Sequence, residues 1–212
     1  MSVGLISTGV QFPDATIQTT AAGTVLPGVL GQVFTASGTF TIPTGVTALK
    51  VTVVGGGSSG TGAAACCGAN NGNAGGTSSV SSGTQTISTI SATGGAAAIV
   101  NQTTAIAGGA GSGGDLNMNG APGMNGNIST MLGMVSGGSL YGPGTNPSTA
   151  GKLYGGGSAT YAGNSCGAGG GSAIKYLTGL TPGGTLTVTR GAGGTAPGGG
   201  AAGAIGVIIF EW

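Results

Sequence analysis

Glycine recurs at intervals of three in two stretches of this 212-residue chain, and that spacing restricts what the chain can build. One series runs Gly108, Gly111, Gly114, Asn117, Gly120, Gly123, Gly126; the other runs Gly191, Gly194, Pro197, Gly200, Gly203, Gly206. Neither the 3.6-residue period of an α-helix nor the two-residue period of a strand fits. A left-handed three-fold extended helix does, because every third residue then faces the same neighbour and a glycine there lets backbones approach closely. Such a helix has no internal hydrogen bonds, so its N–H and C=O groups need partners on adjacent segments. The spacing therefore predicts polyglycine II-like helices packed side by side, with Ala, Ser, Thr and Asn filling the positions between glycines.

Composition narrows the class. The 52 glycines fall short of the one in three that a collagen repeat demands, and there are only 8 prolines. An apolar fraction of 39% is too high for an ordinary disordered linker. Four Lys and Arg against three Asp and Glu leave a net charge of +1 and no basic footprint, which excludes nucleic acid as a partner. No apolar run reaches the roughly 18 residues of a membrane-spanning helix. The first residues, Met-Ser-Val-Gly-Leu-Ile, carry neither the basic leader nor the continuous apolar stretch of a signal peptide, which fits a virion component released by lysis or a piece of a longer chain. So little charge suits a chain attached to a larger assembly better than a free monomer.

The chain reads as an N-terminal segment, 1–31, followed by a larger domain, 32–212. In the first, Phe12 and Ile17 are apolar anchors around a Pro13-Asp14 turn, and the segment is too short to bury a core alone. In the second, a strand framework at 32–54 and 172–212 brackets a glycine-rich body at 55–171. Leu49, Val51 and Val53 alternate with Lys50, Thr52 and Val54, and Thr185-Leu-Thr-Val-Thr-Arg190 alternates as well. Within the body, 78–92 and 96–107 are β-prone. The expected fold is mostly β and irregular: a small antiparallel framework holding the base of a body of polyglycine II-like helices.

Catalytic chemistry finds no support. There is no histidine, so Ser-His-Asp and Cys-His arrangements are absent. Asp14, Asp115 and Glu211 are scattered, and Glu211 next to Trp212 is expected to face solvent. Gly151-Lys152-Leu153 puts leucine where a phosphate loop needs Ser or Thr. Cys66, Cys67 and Cys166 read as small buried apolar groups, a bridge from Cys66 or Cys67 to Cys166 being the alternative. Adjacent cysteines without histidine are a poor zinc site, so neither metal nor cofactor is expected.

A set of motifs resembles the glycine-rich domain at the ends of bacteriophage tail fibres and related trimeric surface-fibre adhesins. They are Phe40-Thr-Ile-Pro-Thr-Gly-Val-Thr47, Lys50 to Gly57, Gly169 to Ala173, Leu180 to Gly183, Leu186 to Gly194, and Gly203 to Trp212. Val10 to Thr20 is similar to a short motif recurring in tail-fibre proteins. The resemblance implies a homotrimeric fibre tip joined to an upstream fibre segment, with glycine-rich loops at the contact end. It places the chain at a virion tail-fibre tip or, alternatively, on a bacterial surface fibre.

Binding residues are sought among large side chains in this small-residue body, because rigid aromatics supply contact area at low entropic cost. Tyr141, Tyr154 and Tyr161 are its only aromatics, and Asn117, Met118, Asn119, Met124, Asn125 and Met131 form a second group, with Leu132 and Met134 beside them. The alternative is that these side chains fill gaps or subunit seams. The functional expectation is a non-catalytic adhesin recognising a bacterial surface glycan or outer-membrane protein; the competing one is a structural fibre or decoration protein with no receptor.

Overall fold

The computed structural model describes residues 4–6, 9–11, 17–18, 30–62, 70–101, 103–124, 135–145, 150–159, 165–198 and 200–212. The chain divides into two compact units, Met1–Leu30 and Gly31–Trp212. In the first, β1 (Gly4–Ile6) pairs antiparallel with β2 (Gly9–Gln11), which pairs with β3 (Ile17–Gln18). The expected anchor Phe12 and the Pro13-Asp14 turn lie outside the described residues.

The second unit is a β-sandwich. Its strands are β4 (Gly31–Phe34), β5 (Gly38–Thr41), β6 (Ala48–Val54), β7 (Ser78–Ser82), β8 (Ile90–Ala92), β9 (Gly111–Ser112), β10 (Leu116–Met118), β11 (Ser172–Thr178), β12 (Thr185–Thr189) and β13 (Val207–Glu211). One five-stranded sheet has the order β10-β11-β6-β13-β4 and the other β5-β12-β7-β8-β9, with every pairing antiparallel. Alternation decides the inward faces. Leu49, Val51 and Val53 of β6, Ile208 and Phe210 of β13, and Leu186 and Val188 of β12 are buried in one core with Phe40, Val80 and Ile90. Phe40 of one sheet stacks on Phe210 of the other, centroids 3.9 Å apart and planes 4° from parallel, while Phe34 meets both rings edge-on. The turns at 43–46 and 181–184 close on backbone bonds, Val46 N–H to Pro43 and Gly184 N–H to Thr181; Gly45 and Gly183 take positive φ there, a conformation that favours glycine.

Two sequence expectations are corrected. The described residues contain no helix, so the polyglycine II-like helices, and with them the glycine-rich domain fold that the resemblance implies, are not found among them; the fold there is entirely β. Nor does a small framework bracket the body, because β7, β8, β9 and β10 all come from within 55–171 and complete the two sheets. The physical reason is that short pieces carrying Val80, Ile90 and Ala92 bury those side chains in the sandwich, a gain that glycine spacing does not offer. The first glycine series runs straight across this structure: Gly111 lies in β9, Asn117 in β10, and Gly114 in the bend between them. The β-prone piece at 96–107 forms no strand among its described residues; Ile106 makes one isolated bridge, to Gly123.

Among the described residues, the remaining glycine-rich segments have no regular secondary structure, yet their backbones are tied laterally. From the segment after β6, Gly55, Ser58 and Thr61 donate to the carbonyls of Gly171, Ala168 and Ser165, each at 3.0 Å. Gly56, Ser59 and Gly62 donate to Gly76, Asn73 and Asn70 at 2.9, 3.0 and 2.8 Å. Donors and acceptors both step by three and in opposite directions, so these segments run antiparallel to one another. Residues 51–62 are buried throughout. Glycine is required here by close approach: a Cβ on Gly57 would collide with the Gly156 carbonyl, and one on Gly170 with that of Gly55.

Candidate recognition surface

Four excursions, 55–77, 93–110, 119–171 and 190–206, leave the sandwich and return to it. Hydrogen bonds fix where they turn. At the sandwich end, Gly55 donates to Gly171, Thr93 to Ala110, and Gly206 to Gly191, all within three residues of a strand. At the opposite end, Gly62 bridges Asn70, Thr61 donates to Ser165, and Cys166 donates to Met124. The Val100 N–H donates to Asn71 Oδ1 at 2.9 Å, and Ser165 Oγ donates to the Ile99 carbonyl at 2.8 Å. Asn73 Nδ2 donates to the Thr195 carbonyl at 3.0 Å, and Gly62 lies against Pro197 and Gly198. The described residues that flank 63–69, 125–134 and 160–164, and those around 99–101 and 195–198, therefore gather at one pole. The chain enters this unit at the other end, where Gly31 pairs with Glu211 beyond the core.

The described part of the pole is small, polar and uncharged, with exposed Asn70, Asn71, Asn101, Thr195 and Pro197's neighbour Gly198. Ile99 and Val135 are apolar and exposed among them. Asn101 takes φ of 59°, a left-handed conformation that Asn tolerates better than most residues. Cys166 is fully buried just below, packed with Ala159, in keeping with the small-apolar reading; Cys66 and Cys67 lie outside the described residues.

The predicted binding residues do not form one site. Met124 reaches the pole, where its sulfur accepts the Val135 N–H at 3.3 Å. Asn125, Met131 and Tyr161, with Leu132 and Met134, lie outside the described residues. Asn117 and Met118 sit instead on the edge strand β10, followed by exposed Asn119. The Asn117 side chain closes the bend before β10, accepting from the Gly114 N–H and donating to its carbonyl, both at 3.0 Å. Tyr141 and Tyr154 belong to a reversal at the sandwich end. Ser139 Oγ there donates to the Tyr154 carbonyl and accepts the Gly142 N–H at 2.9 Å.

Both described carboxylates are paired to lysines. Asp115 accepts from Lys175 Nζ and from the Tyr176 N–H at 2.9 Å; these bonds, the lysine's first, hold its pKa below the ordinary value. Glu211, expected to face solvent, accepts from Lys50 at 2.8 Å on the outer face of the first sheet, and this bond chiefly raises the lysine pKa. Sequence reasoning missed Lys50, Tyr176 and Glu211 as neighbours, although the outward phase of their alternating strands was available to suggest it. Among the described residues no three His, Cys, Asp or Glu side chains come together. No helix among them is long and apolar enough to cross a membrane. The chain matches no protein family, no curated protein and no solved structure.

Proposed function

We propose that this chain is a receptor-binding adhesin that acts without catalysis, meeting a bacterial surface glycan or outer-membrane protein through the pole where its connections turn. The supporting observation is the polarity of the second unit: the chain enters at the sandwich end, and described residues from all four excursions meet at the other. Loops displayed at one end of a rigid scaffold are a common way to build a recognition surface, because they vary without disturbing the core. Backbone ties between the described glycine-rich segments supply the rigidity of that scaffold. Carriage at the outer end of a trimeric virion fibre, or of a bacterial surface fibre, suits entry from the opposite end and the scarcity of charge. In that arrangement the partners are two further copies of the chain and an upstream fibre segment.

The test is saturable binding of the full chain to bacterial cells, measured by flow cytometry across a strain panel. Binding to a subset of strains, lost in Ile99→Lys and retained in Thr187→Lys on the sandwich, supports the reading. Binding to no strain, or equal loss from both substitutions, overturns it in favour of a structural role.

A further inference from the structure

A second surface lies far from the pole. On the outer face of the first sheet, Tyr176 of β11, Lys50 of β6 and Glu211 of β13 stand directly opposite one another in register across three adjacent strands. At the usual strand spacing the row is about 10 Å long. Tyr176 is 64% exposed, and the Lys50 and Glu211 side chains are 31% and 39% exposed, so ring, donor and acceptor are all reachable from solvent. The next row across the same face is mainly apolar: Leu116, Ile174, Thr52, Ile209 and Val33 follow in register across all five strands.

We propose that this face is a binding site for a neutral oligosaccharide, with Tyr176 stacking on a pyranose ring and the Lys50–Glu211 pair bonding to its hydroxyls. Three features select that ligand. A pyranose offers C–H faces to an aromatic ring and hydroxyls at its rim, matching a tyrosine beside a joined donor and acceptor. The row carries one positive and one negative group, so it favours a neutral ligand over a polyanion. The open area is also small. Thr52 in the second row and Val54 and Val207 beyond it are fully buried, with the Gly155 reversal packed against Val54, leaving the Tyr176–Lys50–Glu211 row and the two ends of the next. That is less than the roughly 300 Å² that two full rows would span, and well below the ~800 Å² per partner of a stable protein interface. An oligosaccharide of two to four units covers it.

The experiment titrates the full chain separately with cellotetraose, chitotetraose and maltotetraose, following Trp212 fluorescence and amide NMR shifts. Saturable binding of at least one, weakened tenfold or more by Tyr176→Ala and by Glu211→Gln but unchanged by Ile99→Lys, supports the proposal. Tyr176→Phe should keep most of the affinity because the ring remains. No binding of any of the three at about 10 mM overturns it; so does binding indifferent to Tyr176→Ala. Concentration-dependent self-association abolished by Tyr176→Ala would also overturn it, assigning the face to a second copy. Since cell binding through the pole is read with Ile99→Lys, either proposal can fail while the other stands.

Discussion

The ring of Phe40 lies flat on that of Phe210, 3.9 Å between centroids, and joins the two sheets at the centre of their shared core. Both rings are fully buried, and Phe34 and Trp212 close around them. Replacing Phe210 with alanine removes the stack and leaves a cavity between layers that strand pairing holds apart. A loss of about 3–5 kcal/mol is expected, read from urea unfolding monitored by circular dichroism.

Glycines in the body should differ sharply from glycines in the turns. A Cβ on Gly170 would run into the Gly55 backbone, and both segments are held on their other sides, so neither can yield. Gly170→Ala is expected to cost more than about 4 kcal/mol or to prevent soluble folding. Gly179 has φ of +67°, but a Cβ added there would meet nothing within 4 Å, so Gly179→Ala should cost only about 1–2 kcal/mol. Comparing soluble yield and melting temperature of the two variants checks the contrast.

The two ion pairs act at opposite ends of the pH scale. Asp115 has a depressed pKa in the fold, so its contribution is present above the unfolded value of 3.8 and is lost as pH falls through the lower folded value. Lys50 has a raised pKa, so its contribution is full below 10.5 and is lost as pH rises through the higher folded value. Melting curves should show Asp115→Asn flattening the acid limb and Lys50→Met flattening the alkaline limb. Both effects are small, since these groups are largely solvated.

Individual strands were legible, though the sandwich was not, because alternation reports which face of a strand is buried but not which strands pair. The stretch from Thr185 to Thr189 places Leu186 and Val188 inward and its threonines outward, as its pattern predicts. The strands inside the glycine-rich body were harder to read. β8 to β10 are only two or three residues long, and β9 consists of Gly111 and Ser112, so periodicity had nothing to act on. Glycine spacing by three pointed to helices that the described residues do not contain; in the first series Gly111, Gly114 and Asn117 serve β9, a bend and β10 instead. The separation of Met124 from Tyr141 and Tyr154 was hidden for another reason. Which end of an excursion a residue occupies depends on pairings between segments more than 100 residues apart, such as that of Ser58 with Ala168.

Hydroxyl-radical footprinting of the chain, free and bound to cells, tests the recognition role of the pole most directly. The account predicts protection at Ile99, Met124 and Val135 at the pole, with Pro182 in the turn at the sandwich end unchanged. Protection at Pro182 with none at those three residues would contradict it.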